Sequence, residues 1–368
     1  MTKVNFSFEK IASAKTNWRD LSVSATALAV ADSAKNFTGL TVVIAGSANE
    51  ADAYASSINF FTVGHNLPIY RLPDWETLPY DIFSPHQDIV SERLSTLSQL
   101  YSVSHGILVI SVQTMMHRLI PTDFVASRTF LHRVGDICNR EKFLLQLEQV
   151  GYQRTDTVFS CGEYAPRGSI IDVYPMGAET PFRIDLIDDE IETLRLFDVD
   201  SQRTIKKVNE LSILPAKEFP MDRASVNRFL NRWCLTFPNI PRETPIYRDV
   251  AKGIAPQGIE YFLKLFFENM STIFDYLPPE TKIFSLAGVG TASKNFWENI
   301  TSRYDEFQLD NQRPLLPPDE IFITVNELFQ KIGALRTVYL SEIANPKSTE
   351  NYNFQIHNLP NISVIETP

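Results

Sequence analysis

Three short apolar runs, Thr41–Ala45, Ile69–Leu72 and Gly106–Val112, separated by helix-patterned stretches, constrain the fold more than any other feature of the chain. Runs this short are strand-length, and successive apolar side chains point to both faces of a strand, so both faces must be covered. The stretches before and between them, roughly Ala25–Lys35, Glu50–Phe61 and 86–104, read as helices. In the third, Ile89, Val90, Leu94, Leu97, Leu100 and Tyr101 recur at helical spacing, while Gln87, Ser91, Glu92, Ser95 and Ser98 fill the other side. Before it, Pro73, Pro79 and Pro85 punctuate a loop, each biasing its predecessor toward extended geometry. Such alternation predicts an α/β lobe with a parallel sheet covered on both faces.

After about residue 129 the pattern changes. A helix over Glu141–Val150 is followed by strands at 169–174, 182–187 and 191–197 joined by short polar turns, which predicts a small α+β module with an antiparallel sheet. From 216 to 345, helices Asp222–Thr236, Gly258–Phe267 and Ala292–Glu306 mix with strands Lys282–Leu286 and Ile321–Val325. The tail from Asn345, rich in Asn, Ser, Pro and Thr, reads as a linker running into a strand Asn361–Glu366. At 368 residues the chain is long enough for two or three domains of about 150 residues.

Charge and cysteine usage narrow the function. The 34 basic and 44 acidic side chains leave a net charge of −10, a poor match to a polyanion unless basic groups cluster locally. Cys138, Cys161 and Cys234 are far apart with no CxxC pair, so neither a disulfide framework nor a thiolate zinc site is indicated. The start lacks a secretion signal, and no run approaches the ~20 apolar residues that cross a bilayer. These features predict a soluble cytoplasmic protein without membrane contact. His65, His86, His105, His117, His132 and His357 are scattered and read as surface or packing residues. Asp188, Asp189 and Glu190 could in principle bind a cation, but their position between two alternating strands favours a solvated hairpin turn.

The string PDWETLPYDIFSPHQDIVSERLSTL at 73–97 is unusual enough to identify, and others follow it in order: CGEYAPRGSIIDVYPMGAETPFRIDLIDDEIETLRLFDVDSQRT at 161–204, LPAKEFPMD at 214–222, GIEYFLKLFFENMSTIFDYLP at 258–278 and RPLLPP at 313–318. Together they resemble the N-terminal region of the bacterial transcription-repair coupling factor family, which is related to the excinuclease subunit UvrB. The resemblance implies a UvrB-like fold: a degenerate RecA-like or helicase-like lobe (1–128) and an inserted UvrA-binding domain (129–215). A second part (216–345) packs on the first lobe, and 346–368 forms a linker and the start of a next domain. It also implies that the chain is a fragment. RNA polymerase and DNA would be met only through absent domains, and other domains of the full-length protein would be partners.

A lobe of this type that hydrolyses ATP needs a Gly-rich turn with a Lys-Ser/Thr pair opening its first helix. The corresponding stretch RDLSVSATALAVADS, 19–33, has neither glycine nor lysine, and Ser22, Ser24 and Thr26 read as helix-capping residues. After the strand near 282–286, Ala287, Gly288 and Val289 stand where a magnesium-binding carboxylate pair is needed. No catalytic residue, cofactor or metal is therefore expected. UvrB-like proteins also insert a long aromatic β-hairpin into DNA, for which the stretch Trp75–Val109 leaves no room.

The expected function lies on a sheet face. In FRIDLID, strand alternation sends Phe182, Ile184 and Leu186 one way and Arg183, Asp185 and Ile187 the other; in IETLRLFD, Leu194 and Leu196 oppose Thr193 and Arg195. From these residues alone, the arginines read as solvated and Ile187 as an ordinary exposed aliphatic. The resemblance makes Arg167 in YAPRG, Arg183 in PFRID and Ile187 in DLIDD the UvrA-binding positions, with Gly168 shaping the turn that presents Arg167. Relatives can carry an aromatic where this chain has Ile187. The expected protein is a non-catalytic adaptor recruiting UvrA to stalled RNA polymerase in nucleotide excision repair. The alternatives are an active UvrB-like ATP-dependent enzyme and an intramolecular clamp on a translocase.

Overall fold

The computed structural model describes residues 15–19, 21–341 and 355–358. Its first third alternates: β1 (Lys15–Arg19), α1 (Val23–Lys35), β2 (Leu40–Ala45), α2 (Ala48–Thr62), β3 (Ile69–Leu72), α3 (Gln87–Leu100) and β4 (Gly106–Ser111). Every residue of β2 and β4 is buried, as strands covered on both faces require. Side chains start the helices: Ser22, Ser47 and His86 accept from the amides of Ala25, Glu50 and Asp88. Val112 leaves the predicted strand because Ser111 caps a short helix, Val112–Met116, by accepting from Thr114 N at 3.1 Å.

The chain then builds β5 (Phe130–Arg133), β6 (Gln153–Arg154), β7 (Glu163–Arg167), β8 (Ile170–Val173), β9 (Phe182–Ile187), β10 (Glu190–Phe197), β11 (Thr204–Val208) and β12 (Glu210–Ile213). Six of these form one sheet in the order β11-β10-β9-β8-β7-β6, antiparallel except for the short β6–β7 pair, and β5 and β12 pair as a ribbon beside it. One face of the sheet carries Tyr164, Ile171, Ile184 and Leu194, all fully buried, and the helix Arg140–Gln149 buries Phe143 and Leu147.

Beyond this module the chain returns to the first sheet through β13 (Thr281–Ser285), β14 (Arg336–Ser341) and β15 (Gln355–Asn358). The order is β15-β1-β14-β13-β2-β4-β3 with every pair parallel, so β13 lies directly against β2 although the antiparallel module separates them in sequence.

Two further expectations change, and a third falls outside the described residues. The strand predicted at Ile321–Val325 is instead the end of a helical turn, Pro318–Ile321, a crossing, and the start of the helix Val325–Gly333. Pro318 opens the turn and Thr324 caps the helix, while Phe322 and Ile323 are buried: Phe322 forms an isolated bridge with His117 rather than a ladder, and Ile323 N donates to the carbonyl of Met116. The helix predicted over Gly258–Phe267 divides into a 3-10 segment, Ile259–Phe262, and a short α-helix, Leu263–Phe266, after Gly258 at φ +71°. The strand predicted at Asn361–Glu366 lies outside the described residues.

The proline loop joins the two units. Trp75 is buried and donates its indole N–H to Glu218 Oε2 at 3.1 Å, and Arg93 of α3 donates to Glu218 Oε1 at 2.7 Å. Arg93 also donates to the carbonyl of Pro73 at 2.7 Å and lies 5.4 Å from the Trp75 ring centroid. Helix α3 passes so close to the inserted module that a Cβ on Gly177 would lie 2.8 Å from Ser95.

Candidate functional site

Register decides which side chains share the outer face of the six-stranded sheet. Arg167 pairs with Ile170, Ile170 with Asp185, and Asp172 with Arg183, which in turn pairs with Arg195. Cross-strand partners point to the same side, so Arg167, Arg183 and Ile187 stand on one face, with Asp172, Asp185, Thr193 and Arg195 among them.

Arg183 is the most engaged of the three. Its fork donates to both carboxylate oxygens of Asp172, Nε at 2.7 Å and Nη2 at 2.9 Å, and Nη1 donates to the carbonyl of Gln202 at 3.2 Å. The guanidinium lies 4.7 Å from the Phe197 ring centroid. Asp172 is 0% exposed and the Arg183 side chain 16%, so this is an interior ion pair capped by an aromatic ring. Its hydrogen bonds to Asp172 raise the Arg183 pKa further above its ordinary value. Beside it, Arg195 pairs with Asp185, which also accepts from the Thr193 hydroxyl at 3.0 Å. Two arginines directly opposite one another are thus each neutralised by an aspartate.

Arg167 is exposed. Its Nη2 donates to the carbonyl of Asp156 at 2.7 Å and the Thr157 hydroxyl at 2.8 Å, contacts that aim the side chain without neutralising it. Gly168, next in the β7–β8 turn, has φ +63°, and its carbonyl accepts from Arg140 Nε at 2.9 Å. Ile187 ends β9 and is 55% exposed. After it Asp188 adopts φ +54°, making Asp188 and Asp189 the hairpin turn between β9 and β10; Asp189 is engaged by Asn139 at 3.2 Å.

The two stretches weighed for nucleotide chemistry each open a helix. At the start of α1 the Ser22 hydroxyl accepts from Ala25 N at 3.2 Å, and Ala25, Thr26 and Ala27 are buried. After β13, Gly288 at φ +80° starts the helix Val289–Phe307. His117 is buried edge-on to Trp75 and Phe322, and desolvation holds its imidazole well below the ordinary value. His132 packs on Phe143. Among the described residues, no helix is long and apolar enough to cross a membrane.

The UvrB interaction domain family matches residues 131–219, the stretch that contains this face. Transcription-repair-coupling factors match far more of the chain. That of Escherichia coli (strain K12) is 39% identical over 346 residues, 94% of this chain. Those of Haemophilus influenzae and Myxococcus xanthus are 36% and 28% identical over 92% and 81% of it. The chain belongs to the UvrB-like region of the transcription-repair coupling factor family. It spans about 30% of the length of the first two curated relatives. The carboxylates that occupy Arg183 and Arg195 are not legible in the sequence, since each comes from a neighbouring strand position that only the register reveals.

Proposed function

We propose that the chain is a non-catalytic adaptor that recruits UvrA to stalled RNA polymerase during transcription-coupled nucleotide excision repair. The observation that carries the reading is an exposed arginine, Arg167, and an exposed aliphatic, Ile187, held on one face of the sheet within the matched UvrB interaction domain. A planar fork and an apolar anchor held by ordered backbone are what a protein partner uses for affinity and orientation. Arg167 and Ile187 contact UvrA directly. Arg183, with its fork turned onto Asp172, contributes its exposed edge and holds the face in register. Residues 129–215 act as the recruiting unit, and the parallel-sheet lobe carries it. RNA polymerase and DNA are met by other domains of a longer protein.

Titration of UvrA with the 368-residue chain and with its Arg167→Ala and Ile187→Ala variants tests this reading. Each truncation weakens binding by about 1–3 kcal/mol; affinities equal to the parent would remove the site. The expected outcome of an ATPase assay on the same chain is no DNA-stimulated hydrolysis, and turnover would overturn the non-catalytic reading.

A further inference from the structure

We infer that Ile137 is a second apolar anchor of the same docking face, and that UvrA meets it with an apolar cleft bordered by a basic side chain opposite Glu190. The inference rests on the reading that this face receives UvrA. Ile137 forms an antiparallel bridge with Glu190, and Glu190 pairs with Ile187. Paired residues share a face, so the carboxylate of Glu190 stands between two aliphatic side chains. Ile137 is 78% exposed, more than Ile187.

Its backbone is nonetheless fixed on both sides. Cys138 N donates to the carbonyl of Asp189 at 2.6 Å, Gly135 N to that of Ile191 at 2.8 Å, and Ile191 N to that of Asp136 at 3.0 Å. A lone exposed aliphatic residue is ordinary on a protein surface. Two on one row, presented by hydrogen-bonded backbone, form an apolar strip whose ordering cost is met before any partner arrives.

Charge sets the partner's chemistry and its orientation. Leu186 N donates to the carbonyl of Ser169 at 3.0 Å, so the strip adjoins the turn that carries Arg167. The face is therefore basic at Arg167 and acidic at Asp188 and Glu190. A complementary surface carries an acid toward Arg167, an apolar cleft over Ile137 and Ile187, and a base toward Glu190.

The test is UvrA titration with Ile137→Ala, Ile187→Ala, Arg167→Ala and Glu190→Lys variants of the 368-residue chain, with thermal unfolding of each. Ile137→Ala weakens binding about tenfold at an unchanged unfolding midpoint, because its side chain packs on little within the chain. Glu190→Lys weakens it as well, and more at low salt. If Ile137→Ala binds like the parent while Arg167→Ala or Ile187→Ala weakens, the inference fails and the proposed function stands. If all variants bind like the parent, both fail. Loss of a concentration-dependent dimer with UvrA binding intact would assign the strip to a second copy of the chain and overturn the inference.

Discussion

Replacing Arg183 by alanine will loosen the six-stranded sheet that carries it. The substitution removes both hydrogen bonds to Asp172, leaving a carboxylate that is 0% exposed without its cation. Breaking a buried pair from one side costs about 3–5 kcal/mol, and the lost stacking on Phe197 adds roughly 0.5–1 kcal/mol. The vacated space opens toward solvent and water can reach Asp172, so the low end applies, about 3 kcal/mol. That corresponds to a rise of about two orders of magnitude in the opening equilibrium of the sheet. Amide hydrogen exchange of β8 and β9 reads it directly, since these amides exchange through that opening. Asp172→Ala and the double variant complete a cycle in which the double change costs well under the sum of the singles. Exchange within threefold of the parent in Arg183→Ala, or strict additivity, would refute the argument. The comparison also separates roles, because Arg167→Ala leaves no buried charge behind, so any loss of UvrA binding it caused would be a contact effect.

Gly168→Ala costs about 1–2 kcal/mol through its left-handed backbone alone, since a Cβ there would meet nothing within 4 Å; urea unfolding measures the loss, and an unchanged midpoint would contradict it. Glu218→Ala strands the buried Arg93 and lowers stability by about 3–5 kcal/mol, with Trp75 fluorescence reporting the loosened joint; native emission and stability would refute the tie. Glu260, buried where it accepts from the Ser84 hydroxyl, has its carboxyl pushed up to about 7 from 4.5 by desolvation. The folded chain therefore keeps a proton that the unfolded chain has lost. The contribution is fully present below about 4.5, declines as pH rises, and is gone above about 7. Glu260→Gln gains on the parent by on the order of 1–3 kcal/mol between pH 5 and 8 in thermal unfolding, and parallel pH profiles would exclude the cause.

How much of this was legible depends on where each determinant sits. Elements defined by their own residues read well: the apolar runs of β2, β3 and β4, and helices opened by Ser22, Ser47 and Asp222. The run Ile321–Val325 misled because burial on all sides makes Phe322 and Ile323 look like a strand, whereas Pro318 and Thr324 set the backbone. β14 was missed because Arg336, Thr337 and Tyr339 interrupt its apolar pattern, its place being fixed by pairing with β1 and β13. At the site, alternation within one strand put Arg183 and Ile187 on a shared face. The commitment of Arg183 to Asp172 depends on the pairing of β8 with β9, which no single strand encodes.

The buried Trp75, Arg93 and Glu218 group has a mechanical consequence. Glu218 stands where the inserted module hands the chain back to the lobe, and swinging the module away would uncover an arginine whose carboxylate partner had left with it. The module is therefore a bracket bolted to its wall rather than an arm on a string. A protein captured on the face of β9 is held at a set distance and angle from the parallel sheet, and a pull on either is felt by the other.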